Sequence, residues 1–166
     1  MTRTGHNVPV RISAKTDYAI RAAAELAAAG SQPGGSGWVK TESVSIAQDI
    51  PLPFLLNILA ELRTAGLVRS RRGVEGGYQL ARSPGDISVA DIIRAVDGPL
   101  ANIAGARPEE LDYRGAAEAL RDTWVALRAT MRSVLERVSL ADLAAGALPE
   151  EITALLADDD VWRARR

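Results

Sequence analysis

Five arginines and one glutamate fall between residues 63 and 82, and the stretch 67–80 reads LVRSRRGVEGGYQL: strand, basic turn with paired glycines, strand. Positive charge gathered on a hairpin can face phosphates. Gly73, Gly76 and Gly77 take backbone conformations closed to other residues, which would let the turn approach a duplex closely. Arg71 and Arg72 sit at its root. Arg72, beside Gly73, is the candidate for entering an A·T-rich minor groove. Arg69 and Arg63 read as phosphate contacts. Glu75 faces phosphate unless a nearby Arg pairs with it, and Tyr78 either turns its hydroxyl outward or buries its ring to anchor the hairpin.

Directly upstream, SIAQDIPLPFLLNILAELRTAG reads as two short helices. Ser45 and Gln48 have capping-box spacing and predict a helix from Ile46 to Asp49. Pro53 suits the first turn of the next helix, where its missing N–H costs nothing. In that helix Leu55, Ile58, Leu59 and Leu62 recur at i, i+3, i+4, i+7 and must face a core. Asn57, the one amide on the exposed side, could bond adenine N6 and N7, and Leu56 could meet a thymine methyl. Two short helices feeding a basic hairpin is the order of a winged helix-turn-helix, which implies binding to double-stranded DNA.

Around this lie the elements that must hold it. Residues 1–12 read as a loose arm. Ser13 caps a helix from Ala14 to about Ala29 with an apolar side of Tyr18, Ala22 and Leu26. Gly30 stops it, and SQPGGSG follows as a loop. Trp38 ends the loop, either as a plug partly buried against the first helix or as an exposed aromatic. Ser88 caps a helix with Asp91 near its positive end; Ile92, Ile93 and Val96 point inward, and Gly98–Pro99 terminate it. From about Pro108 or Leu111 a long helix is expected to reach Val138. Along it Leu120, Trp124, Leu127, Met131, Val134 and Val138 form a heptad seam. Since the part before residue 99 reads as a complete small core, this seam is expected to meet a second copy and make a homodimer. A two-fold dimer presents two reading helices to a palindromic site. SLADLAAG then makes a short capped segment, and a last short helix starts at Pro149.

The fold class is therefore mainly α with a small β-hairpin wing: a winged helix-turn-helix plus a long C-terminal dimerisation helix. Residues 1–99 form the DNA-binding domain, 100–110 a linker, and 111–166 the dimerisation helix with short helices after it. A chain of 166 residues with 47% hydrophobic content can bury one good core with an appended element. Its formal charge of −1 says little, because the basic residues cluster. There is no cysteine, which removes disulfides, thiol switches and thiolate-ligated metal. The single histidine, His6, reads as a tail residue, and no cofactor or metal is expected. No run approaches 18 apolar residues and no apolar signal segment precedes the first helix, so a soluble cytoplasmic protein without a membrane partner is expected.

With cysteine chemistry gone, control falls to a small-molecule effector, a protein partner or protein abundance. The cleft between wing domain and long helix, lined by Leu100, Ile103, Trp124 and Leu127, is the candidate pocket. No Ser/His/Asp set, metal cluster or phosphate loop argues for an enzyme, and Gly76–Gly77 lack the GxGxxG spacing. The competing reading is a winged-helix module that binds protein and no DNA.

In order along residues 11–100, SAKTDYAIRAAAELA, SIAQDIPLPFLLNILAELRTAGLVRSRRGVEGGYQLA and ISVADIIRAVDGPL resemble the Rrf2 family of bacterial transcription regulators. The likeness continues more loosely through the long helix and SLADL. It implies a homodimer of winged helix-turn-helix subunits joined by a long helix, usually a repressor. Family members act on genes of iron–sulfur assembly, nitric-oxide response, cysteine metabolism or redox balance. By position it puts Pro53, Leu56 and Asn57 on the reading helix and Arg72 in the minor groove. The chain departs from the pattern in three ways. Three cysteines of the cluster-sensing members are missing from about 100–120. Leu56 stands where some members present Glu to the bases, and the 30–44 loop is longer than in compact members.

Overall fold

The computed structural model describes residues 12–33 and 37–163, so most of the N-terminal arm, with His6, lies outside the described residues. Ser13 opens α1 (Ala14–Gly30) by accepting a hydrogen bond from the Thr16 N–H, which satisfies one of the bare donors at a helix start. The buried stripe of α1 is Ala19, Ala22, Ala23, Leu26 and Ala27. The four alanines let neighbours pack close to its backbone, and α1 becomes the axis of the core.

The next helix, α2 (Thr41–Gln48), starts earlier than its sequence suggested. Ser45 is no cap: it lies inside the helix, and its Oγ donates to the Ile50 carbonyl at 2.7 Å. Gln48 donates to Glu25 of α1 instead of closing a capping box. Asp49 ends α2 in the left-handed region at φ 49°, and the chain turns by 117° into α3 (Leu52–Thr64). That angle falls in the range of helix-turn-helix pairs. Pro53 occupies the first turn of α3, and Leu55, Ile58, Leu59 and Leu62 are buried.

Antiparallel strands β1 (Val68–Arg71) and β2 (Gly77–Leu80) follow, in the register Val68↔Leu80 to Arg71↔Gly77. A third piece joins them. Val39 exchanges both backbone hydrogen bonds with Tyr78, at 2.9 and 2.8 Å. The ring of Tyr78 packs half-buried against the core, as the anchoring alternative required.

Ser88 and Asp91 form a reciprocal capping box at the start of α4 (Val89–Asp97), which buries Ile92, Ile93 and Val96. Beyond it the long helix is shorter than expected. Single 3-10 turns occupy Pro108–Glu110 and Gly115–Ala117, and α5 spans only Leu120–Leu135. Gly115 has φ +59°, a conformation that breaks a right-handed helix. The irregular segment folds back on α5: Glu109 pairs with Arg128 at 2.5 Å, and the Trp124 indole N–H donates to the Tyr113 hydroxyl at 3.2 Å. Two short helices follow, α6 (Leu140–Ala145) and α7 (Glu150–Leu155), and then a 3-10 turn at Asp159–Trp162.

The core is not complete at residue 99. Leu140 is fully buried beside α1, while Val138 and Ile152 pack with Ile93 and Leu100. Two backbone bonds, Val89 N–H to the Val138 carbonyl and Leu140 N–H to the Ile87 carbonyl, both 2.9 Å, fasten the C-terminal segment to α4. Val138 therefore leaves the proposed seam. It lies past the end of α5 and is 7% exposed within its own chain.

Candidate nucleic-acid interface

Burial of one face of α3 dictates what its first turns show to solvent. Pro53, Phe54, Leu56 and Asn57 are all exposed. On a helix of 3.6 residues per turn, Phe54 and Leu56 lie to either side of Asn57. The Asn57 side chain has no hydrogen-bond partner among the described residues. The single carboxylate of α3, Glu61, is held by Lys15 at 2.8 Å. The exposed end of the helix thus offers one amide between two apolar side chains, with no free acid.

From the same unit the wing projects its arginines, all exposed. Arg63, in the last turn of α3, donates to the Ser70 hydroxyl at 3.2 Å and ties the helix to β1. Arg69 forks onto the Gln79 side-chain oxygen at 3.2 and 2.9 Å. Arg71 lies over the Trp38 ring with its guanidinium carbon 4.7 Å from the centroid, and Arg69 stands over the same ring at 5.6 Å. Arg71 also donates to the Glu75 carbonyl, so the nearby Arg meets the backbone of Glu75 and not its carboxylate. Of Arg63, Arg69, Arg71 and Arg72, only Arg72 makes no hydrogen bond or ion pair among the described residues.

The glycines divide. Gly73, at φ +99°, has open space around its Cα, as a close approach to a partner requires. Gly76 and Gly77 serve the hairpin itself: a Cβ on Gly76 would meet the Arg71 carbonyl oxygen at 2.2 Å, and one on Gly77 the Val39 carbonyl oxygen at 2.2 Å. Within the subunit their role is close packing of three backbone segments.

Three features escaped the sequence. Phe54 falls off the buried 55, 58, 59, 62 stripe, so its exposure was readable from periodicity. Half-buried Trp38 as a bed for two arginines was not, because the contact spans a loop and a strand. Nor was the bond from Lys40 to the Val74 carbonyl at the wing tip.

A second concavity of about 570 Å³ opens between the start of α1, the end of α4, residues 99–104 and α5. Leu100, Ile103 and Trp124 line it as expected; Leu127 does not, and Met131 stands in its place. Ile93 adds to the apolar wall, and the polar end is Asp97, whose carboxylate accepts from Ser13 at 2.9 Å and from Thr16. Leu120, Trp124, Leu127, Met131 and Val134 follow one another along α5, each half-buried within the subunit and none fully covered.

A bent helix pair, an exposed reading helix and an arginine-bearing wing define a winged helix-turn-helix protein. The sequence profile of the Rrf2 family, described as iron-dependent transcriptional regulators, matches residues 12–146, and the chain belongs to that family of DNA-binding regulators. Rv1287 of Mycobacterium tuberculosis strain H37Rv, provisionally named an HTH-type transcriptional regulator, is 53% identical over 150 residues, 90% of each chain. CymR of Bacillus subtilis is 33% identical over 135 residues, covering 81% of this chain and 90% of the other. The solved structure of that CymR, the global cysteine regulator, superposes with a TM-score of 0.67 at 32% identity over 82% of this chain and 98% of its own. T. potens IscR gives a TM-score of 0.64 at 30% identity over 92% and 96%.

The iron of the family description does not fit these residues. The chain has no thiolate to offer, and among the described residues no three His, Asp or Glu side chains gather as a metal site. Glu109, in the segment concerned, is held below the ordinary carboxylate range by its own backbone N–H and then by Arg128, and is already spoken for by that guanidinium. No single helix of the described residues is long and apolar enough to cross a membrane.

Proposed function

We propose that this chain is a cytoplasmic homodimeric repressor acting on a palindromic operator. The first turns of α3 lie in the major groove, with Pro53, Leu56 and Asn57 at the base edges. Arg72 enters the adjacent minor groove, while Arg63, Arg69 and Arg71 neutralise phosphates. The observation that carries the reading is the joint exposure of the α3 tip and the wing arginines on one unit, coupled by the bond from Arg63 to Ser70. The seam Leu120, Trp124, Leu127, Met131 and Val134 supplies the second subunit. The cavity bounded by Asp97, Leu100, Ile103 and Trp124 is the place for a small effector, since a ligand there touches both the DNA-binding unit and α5.

A salt titration tests the central claim. Three or four phosphates neutralised per subunit make operator affinity of the dimer fall by about three to four orders of magnitude between 50 and 200 mM salt. Absence of duplex binding at every salt concentration overturns it in favour of a protein-binding winged helix.

A further inference from the structure

The exposed tip of α3 is unusual in its chemistry for a base-reading helix. Phe54 is 61% and Leu56 46% exposed, although both are large apolar groups that water disfavours. Between them Asn57 is the only group of these first turns able to bond a base edge, because Glu61 is engaged by Lys15 and Arg63 lies in the last turn of α3. Among the features of an unmodified major groove only the thymine C5-methyl is apolar. The flanking wing arginines set the sign of the partner: polyanionic, which a hydrophobic protein surface is not.

We propose that α3 recognises its operator chiefly through thymine methyl groups, with Phe54 and Leu56 each covering one and Asn57 fixing an adenine between them. Phe54 is thereby a specificity-determining residue. Half-sites are then T-rich at the positions under the first turn of α3, and replacement of those methyls by hydrogen is felt directly. The inference rests on the DNA-binding reading above and names what that site reads.

The test uses the full-length protein and operators selected by it from genomic fragments. Each thymine of a half-site is replaced in turn by uracil, which removes the methyl and leaves the hydrogen-bonding groups intact. Affinity should drop about fourfold at each contacted position, the contribution of one buried methylene-sized group. Phe54→Ala and Leu56→Ala should each become indifferent to one of these replacements while retaining the wild-type response at the other. Equal affinity for thymine and uracil operators overturns methyl reading and leaves DNA binding standing. A thymine preference that survives unchanged in both alanine variants overturns the assignment to these side chains. Selection of no duplex at all removes the DNA-binding reading, and this inference with it.

Discussion

Arg72 and Gly77 stand five residues apart in the hairpin and do opposite jobs. Arg72 is exposed and unbonded among the described residues, so its removal costs the subunit nothing that the structure records. Gly77 has φ +144° and no room for a Cβ against the Val39 carbonyl. Arg72→Ala should therefore keep the wild-type melting temperature and lose about tenfold or more in operator affinity, as expected for a charge-assisted contact. Gly77→Ala should lower the melting temperature first, because the Val39–Tyr78 bridge must open. Thermal melts and fluorescence anisotropy on both variants check this; an Arg72→Ala protein with unchanged operator affinity removes Arg72 from the interface. Arg71, bedded on Trp38 and bonded to the Glu75 carbonyl, is held in place in a way Arg72 is not.

At the scale of elements, two matching capping boxes flank the junction that joins α4 to the C-terminal segment: Ser88 with Asp91, and Ser139 with Asp142. The Ser139 hydroxyl, then its N–H, hold the Asp142 carboxyl below its ordinary 3.8. A folded-state pKa below the unfolded one means that this stabilisation is complete above the unfolded value and fades as pH falls through the folded one. Ser139→Ala should cost ~1 kcal/mol at neutral pH, and Asp142→Asn should flatten the loss of melting temperature below about pH 4. Equal acid sensitivity of Asp142→Asn and wild type would show that the box carries none of it. The caps at Ser88 and Ser139, α1, the buried stripe of α3 and the hairpin were all legible, because each is specified by neighbours three or four residues away or by strict alternation; the reciprocal bonds of the two aspartates came only with the structure. The start of α2 was not legible. The helix starts after Lys40, which makes no side-chain cap, so no cap-type residue marks the place; the Ser45 hydroxyl goes to the Ile50 carbonyl, and the Gln48 amide goes to Glu25, far away in the sequence. Periodicity likewise carried the long helix too far, since residues 111–119 have helical composition while Gly115 and the pairing of Glu109 with Arg128 fold them back. At the site, the arginines and the reading helix were legible as types; their partners were not, because Trp38 and Gln79 reach them only through the folded wing.

Across the whole molecule, one helix links three things. α5 carries the half-covered seam; its residues Trp124 and Met131 wall the cavity; and its C-terminal end is clamped to α4 by Arg94 with Glu136 and by the backbone bonds at Val138 and Leu140. In the proposed dimer, any shift of α5 must therefore change the separation of the two reading helices. A ligand needs only a few kcal/mol of preference between two such spacings to switch occupancy. The arrangement also makes the seam separable from the fold, because its residues are only half-buried within the subunit whereas Val138, just beyond, is fully packed. Met131→Glu places a carboxylate in the middle of the seam, a cost of several kcal/mol if the site is dry in the dimer and little if it stays wet in the monomer. That variant should retain its helical circular dichroism, halve its mass by light scattering and lose operator affinity by orders of magnitude, since one subunit reads only one half-site. Val138→Glu, by contrast, should unfold the junction and lower the melting temperature of the subunit itself. If Met131→Glu remains a dimer with operator affinity intact, α5 is not the interface, and the cavity wall it shares with the seam loses its connection to the spacing of the reading helices.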